Sequence, residues 1–375
     1  MPAQKLDTLT GLRFFAAIAI LIHHLRGFGL PKEVLEGWAL DNGVAFFFVL
    51  SGFILAYVYP SLDTPAAVRR FYVARFARIW PAHMAALALC YLLLAGDPSL
   101  NGTGIDRLDL WLANILLIQA WIPYAESFFG YNSVSWSIST EVFFYAAFPV
   151  LIAGFARKWL IKLATVALLS LALIIICLAT NLSVYTSLDQ GVTLTGVLYI
   201  NPLARIFEFV VGMCAALLWR ATQSKVHVRP VAGTLIESAA VAFLFYSFYA
   251  VAQLGAWANA HVGFAGAQWL GQGSGMAVSF AALIYVMAFQ KGLWSSIIGS
   301  RIGVFLGEIS FMIYLIHYVL LRAYVLRSEW FAGWNGAALL AFYLAVLFGL
   351  SWLLWLVVEK PMRKLIIDRF NQPSA

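Results

Sequence analysis

The chain has 375 residues, of which 63% are hydrophobic and only 11% charged, a composition too apolar for a soluble globular protein of this length. It reads instead as an all-α polytopic membrane protein. Its net charge of +7 needs no nucleic-acid partner once the basic residues are sorted by side, as below. The three cysteines, Cys90, Cys177 and Cys214, sit in apolar runs without paired or CxxC spacing. Neither a disulfide framework nor a metal site is indicated, and they read as core filler.

The first apolar stretch, LTGLRFFAAIAILIHHL (residues 9–25), follows Lys5 as a signal peptide would. Arg13 interrupts it, however, and His23, His24 and Arg26 stand where a small-residue cleavage site belongs, so it reads as a retained transmembrane helix. A bilayer-crossing helix needs about 20 mainly apolar residues. On that criterion spans are expected near 10–29, 40–59, 77–96, 138–156, 159–179, 203–220, 233–252, 274–290, 304–326 and 335–357. These form one transmembrane domain over 1–375, about ten helices with both termini on one side. Seventeen of the 24 Lys and Arg residues, among them Lys5, Arg69, Arg70, Arg75, Arg78, Arg157, Lys291 and Arg363, fall in loops on that side. Lys and Arg favour cytoplasmic loops, so both termini are expected in the cytoplasm. Arg26, Lys32, Arg107, Arg322 and Arg327 go to the other side, while Arg13 and Arg205 lie within spans. The long outer connection, 97–137, contains DLWLANILLIQAWIP, too short and Trp-rich to cross and suited to the interface. No internal repeat and no soluble domain is visible.

Charges inside hydrocarbon cost several kcal/mol unless paired or facing a cavity, so each marks a candidate site. Arg13 and His24 are eleven residues apart, which returns them to within about 20° of one helix face, about 16 Å apart along the axis. His23 is turned about 100° away. Counted at about 1.5 Å per residue from the outer ends of the spans, His24 lies about 7 Å deep, Glu141 of SVSWSISTEVFFY about 5 Å and His317 of SFMIYLIHYVLL about 13 Å. Toward the opposite end, RRFYVARFARIWP puts Arg75 and Arg78 three apart on one face. They are either phosphate-binding forks or positive-inside anchors. Glu141 and His317 are either functional or satisfied structural groups. Arg205 and Glu208, three apart in NPLARIFEFVVGM, read as a structural pair. Trp136, Tyr145 and Tyr314 suit packing or interfacial positions, with a substrate platform as the alternative.

The pattern is an arginine cluster, a shaft about as long as a pantetheine arm, and an imidazole with a carboxylate toward the far mouth. A phosphate-bearing carrier held at Arg13, Arg75 and Arg78 would present its thioester to His24. An imidazole can take the proton of an acceptor hydroxyl and return one to the leaving thiolate, and Glu141 is expected to orient it.

At these residues the chain resembles the acyltransferase-3 family of bacterial integral membrane O-acyltransferases. LTGLRFFAAIAILIHH is similar to that family's opening Arg-x10-His motif through Arg13 and His24. FFFVLSGFILAY resembles its second-helix signature, RFARIWP its RxxR block through Arg75 and Arg78, and SWSISTEVFFY its WSLSVE-type motif through Trp136, Ser137 and Glu141. RIFEFVVGM, SFMIYLIH and VEKP resemble later blocks through Arg205, Glu208, His317 and Glu359. The resemblance spans nearly the whole chain and implies ten helices in the bacterial cytoplasmic membrane. It also implies a cytosolic acyl-CoA donor, usually acetyl-CoA, and an acceptor hydroxyl at the outer face, most often on a cell-surface or exported polysaccharide. Ser137, Trp136, His317 and Tyr314 then become substrate-binding or supporting residues, and lipid or small-molecule acceptors stay open. The reading from another class is a transporter or a flippase of a lipid-linked glycan, for which buried charges are equally expected.

Overall fold

The computed structural model describes residues 5–26, 28, 39–94, 107–184 and 191–370. Over these residues the chain is helical, with no strand among them. Hydrocarbon leaves a backbone N–H or C=O no partner but its own helix, and these Leu-, Ala- and Ile-rich runs stay helical even across Pro81 and Pro149,. The long helices are α1 (Asp7–His24), α2 (Gly43–Val58), α3 (Pro65–Leu94), the short α4 (Leu108–Ile115), α5 (Trp136–Ile152), α6 (Phe155–Thr180), α7 (Pro202–Thr222), α8 (Pro230–His261), α9 (Ala277–Met287), α10 (Arg301–Leu326), α11 (Gly336–Leu354) and α12 (Lys360–Phe370). Nine helical stretches among the described residues are long and apolar enough to cross a membrane. α1, which carries Asp7, Arg13, His23 and His24 over 18 residues, is not among these nine and packs beside α10. The chain is thus a multi-pass, all-α membrane protein.

Local chemistry sets the helix ends. Asn201, Ser300 and Asn335 accept from the N–H groups of Leu203, Gly303 and Ala338, capping α7, α10 and α11,. Between α5 and α6, Gly154 takes a left-handed conformation at φ 61°. Across that corner Lys162 Nζ donates to the otherwise unpaired carbonyls of Val150, Leu151 and Ala153 at 2.9, 2.6 and 2.7 Å,. α3 starts at Pro65 and is 30 residues long, so the arginines from Arg69 to Arg78 belong to the helix rather than to a loop before it.

The helices fall into two shells. About 70% of the most apolar window is buried in α2 and α7 and 67% in α10, against 22% in α6 and 17% in α8 and in the α11–α12 stretch. α2 and α7 touch along their backbones, because a Cβ at Gly52 would lie 1.9 Å from the Phe209 carbonyl oxygen and one at Gly212 would lie 1.9 Å from that of Val49. Small residues permit this approach where no hydrophobic effect drives helices together. α1 packs against α10 with both running the same way, Thr10 beside Gly307 and His24 beside His317.

The segment expected at the interface is re-entrant. α4 descends along α3, with Trp111 against Tyr91, the Asn114 carbonyl against His83 Nε2 at 2.9 Å, and the Ile115 carbonyl accepting from Trp80 Nε1. Its eight residues cover about 12 Å, too little to cross. The chain turns at Leu117, whose φ is +56°. The turn is held by Ser139 Oγ donating to the Leu117 carbonyl at 2.6 Å and by Gln119 Nε2 bonding Ser135. It then returns until the Tyr131 ring lies tilted against Trp111, with ring centroids 4.2 Å apart. Arg107 pins the start of α4 by its fork on Asp109 at 2.7 and 2.8 Å, a contact that holds the Asp109 carboxyl well below the usual carboxylate range,. Lys32, assigned above to the outer side, lies outside the described residues.

Candidate active site

A cavity runs through the inner shell between α1, α2, α3, α5 and α10, with about 790 Å³ of empty space including its open mouth. Arg13, Arg75 and Arg78 line one end; Ser51, Glu141 and Tyr145 stand in its wall; Ser137, Phe47 and Tyr314 line it toward the histidines. The three arginines therefore converge, as the shared faces of α1 and α3 predict, but they are not equivalent. Arg78 Nη1 sits 2.6 Å from the Glu359 carboxylate, itself 2% exposed, and its guanidinium lies over the Phe311 ring. Arg13 forms no ion pair or hydrogen bond among the described residues. Arg75 stacks near the Tyr59 and Tyr145 rings and leaves its buried Nε without a partner. Two of the three guanidinium groups thus keep free donors at the cavity.

Glu141 is not where depth counting put it. Its Oε1 accepts from Ser51 Oγ at 3.1 Å and from Tyr145 Oη at 2.6 Å. Ser51 is near the middle of α2, about 12 Å from its Gly43 end. The error lies in the origin of the count: α5 begins recessed beneath the re-entrant turn, so a residue near its first turns is already deep. Glu141 accordingly belongs with the arginines, and the expected bond that would orient His24 is absent among the described residues.

His24 meets a different partner. His24 Nδ1 lies 3.0 Å from His317 Nε2, and His317 Nδ1 lies 2.6 Å from the Tyr314 carbonyl oxygen and 3.2 Å from that of Ile313. His317 is fully buried, and its own carbonyl accepts from Tyr343 Oη. The Tyr318 ring flanks His24 at 5.0 Å, and His23 lies edge-on to it at 5.2 Å. One helical turn before His317, Tyr314 Oη and Ser137 Oγ are 2.6 Å apart, both within reach of the Val134 carbonyl.

The remaining residues singled out from the sequence lie around this axis. Trp136 is 4% exposed, packed on Tyr199 and Phe48 and absent from the cavity lining. Arg205 and Glu208 form a fully buried pair at 2.8 Å, with Arg205 over the Phe48 and Tyr199 rings. Cys90, Cys177 and Cys214 form no disulfide, and no cluster of three His, Cys, Asp or Glu side chains fit for a metal occurs among the described residues. Sequence reasoning overlooked Ser51, although it is the one hydroxyl in the aliphatic and aromatic run GVAFFFVLSGFILA. It also took Tyr145 as packing, although Tyr145 is four residues after Glu141 and so on its face.

The cavity thus has a guanidinium end at Arg13 and Arg75, with the His24–His317 pair beyond Ser137 and Tyr314 at the other. The family model described as an acyltransferase domain matches residues 6–356, and the chain belongs to this acyltransferase-3 family. It is 29% identical to the acyltransferase MdmB of Streptomyces mycarofaciens, over 96% of this chain and 92% of that protein. It is 31% identical to nodulation protein 10 of Rhizobium leguminosarum bv. viciae over 40% of this chain and 44% of that one. With the O-acetyltransferase OatA of Staphylococcus aureus (strain NCTC 8325 / PS 47) it shares 23% identity over 87% of this chain and 53% of OatA. No solved structure matches. The chain is thus an enzyme of acyl transfer to oxygen, and the transporter reading falls away.

Proposed function

We propose that the protein moves an acetyl group from cytosolic acetyl-CoA to a hydroxyl of a cell-surface or exported glycan, working from the bacterial cytoplasmic membrane with both termini in the cytoplasm. The observation that carries this reading is the cavity, with two free guanidinium groups at the end the basic loops assign to the cytoplasm and His24 beyond the other. The donor's phosphates would rest on Arg13 and Arg75. Glu141, held by Ser51 and Tyr145, sets the position of the Tyr145 ring beside Arg75. The arm would rise past Ser137 and Tyr314, and the thioester would arrive about one turn higher, at His24. There His24 takes the acceptor's proton as the new C–O bond forms and the C–S bond breaks, then returns a proton to the departing thiolate. The name of the OatA relative supports acetyl as the group, and the guanidinium end of the cavity supports a phosphate-bearing acyl-CoA as the donor,.

Sealed inside-out membrane vesicles test the direction of transfer. Acetyl-CoA in the medium should be consumed, with the ester appearing on glycan supplied in the lumen. Tight right-side-out vesicles should ignore external acetyl-CoA until permeabilised. Equal activity in both orientations would mean that donor and acceptor share one entrance.

A further inference from the structure

We infer that His317 is a positioning residue that fixes His24 as the Nδ1–H tautomer, so that Nε2 of His24 carries the lone pair. The inference deepens the function proposed above and rests on its assignment of His24 as the proton acceptor. His317 Nδ1 faces the Tyr314 and Ile313 oxygens at 2.6 and 3.2 Å. A carbonyl oxygen can only accept, so Nδ1 of His317 carries a proton. The ring is fully buried between α1 and α10, where a charge would be costly, so it is neutral and Nε2 is left as an acceptor. His24 Nδ1, 3.0 Å away, must then donate. That assignment leaves His24 Nε2 unprotonated.

This is the arrangement in which a carboxylate holds the imidazole of a hydrolytic triad, with a neutral histidine in the carboxylate's place. In one turnover the acceptor O–H proton passes to His24 Nε2 while the oxygen bonds the acyl carbon and the C–S bond breaks. The Nε2 proton then passes to the thiolate sulfur. The Nδ1 proton stays on His24 throughout, and its bond to His317 strengthens while the imidazolium exists. Because the chain of protons is anchored in helix carbonyls, rotating the His317 ring or losing it frees His24 to take the other tautomer, in which Nε2 is blocked.

The nearest ionisable groups do not compete for the role. Glu141 is bound to Ser51 and Tyr145, Tyr314 Oη to Ser137 and Val134, and His23 meets His24 only edge-on. Tyr343, packed behind His317 from α11, touches its backbone carbonyl rather than its ring.

The test reads the tautomer and the rate separately. Nitrogen NMR of ring-labelled wild-type protein in nanodiscs, assigned with His24→Gln, His317→Gln and His23→Gln variants, should show His24 protonated at Nδ1 and bare at Nε2. His317→Leu should lower kcat by on the order of 10²-fold with the KM for acetyl-CoA within about twofold. His317→Gln, whose amide oxygen can still accept from His24 Nδ1, should recover most of that loss. His317→Glu should move the acidic limb of the pH–rate profile upward, because a carboxylate there favours the imidazolium. A wild-type His24 protonated at Nε2 would overturn the inference without any variant having to fold. So would a His317→Leu protein that binds acetyl-CoA normally and keeps full kcat. Full activity in His24→Ala would instead remove the proposed function and leave the tautomer result standing.

Discussion

Two helices of similar length carry opposite instructions. α10 has 26 residues with Tyr314 and His317 buried among its apolar ones, and 67% of its most apolar window is inside the protein; α6, also 26 residues, is apolar beyond Thr165 as far as Ser170 and again to Thr180, and is only 22% inside. The difference is not hydrophobicity, since both are hydrophobic enough to span. In lipid a helix gains little by burying leucine, so what draws α10 inward is its polar cargo and the small residues that let backbones meet. The inner helices α1, α2, α3, α5, α7 and α10 hold the cavity, the histidine pair and the buried Arg205–Glu208 pair; α6, α8 and α11 surround them.

The largest effect that would sharpen this contrast sits on α1, where adjacent histidines differ in what they touch. His24→Ala should lower transfer by on the order of 10² to 10⁴-fold, the usual contribution of a general base. His23→Ala should keep substantial activity, because His23 lies on another face and meets His24 only through its ring edge. Initial rates on purified, equally expressed variants decide the matter. Equal losses would mean that His23 also meets the acceptor.

A smaller effect separates the three arginines. Removing a charged hydrogen bond to a ligand costs about 1.5–3 kcal/mol, so Arg13→Ala and Arg75→Ala should raise the KM for acetyl-CoA by about 10- to 100-fold with kcat less affected. Arg78→Ala should act mainly on stability, by about 3 kcal/mol or more, since it strands the buried Glu359 carboxylate,. Pairing it with Glu359→Met should restore much of the thermal stability while donor affinity stays near wild type. Calorimetry showing the same donor affinity in all three single variants would cancel the assignment of Arg13 and Arg75 to phosphate.

The features legible in the sequence were those with a short repeat. Arg13 and His24 share a face because eleven residues are close to three turns, and Arg75 and Arg78 because three residues are close to one. Runs of apolar residues located the helices to within a few positions, except where α3 continues into charged sequence and where α8, expected to end near 252, runs on to His261. What stayed hidden was pairing at a distance. Glu359 is 281 residues from Arg78 and His317 is 293 from His24, and no periodicity links such positions. Depth along α5 was hidden for a related reason: a helix's own sequence does not say that a neighbouring loop has been folded in above it.

The smallest expected effect lies on the outer shell, and it tests whether the shell is only a collar. Ile175 in α6 and Leu235 in α8 are 55% and 67% exposed, and neither approaches a polar group of the cavity. Replacing either with alanine removes surface that faces lipid in the folded protein and would face lipid equally if the helix moved away, so the transfer term that destabilises a water-soluble core has no counterpart here. Activity should stay within about twofold, and the melting temperature in detergent should change by no more than a few degrees. Ile175→Ala and Leu235→Ala assayed in vesicles and by thermal aggregation give both numbers. A marked loss of activity with unchanged stability would show that the outer face touches something other than lipid during turnover, such as the acceptor's lipid carrier or a second copy of the chain, and the division into a working core and a passive collar would fail at that helix.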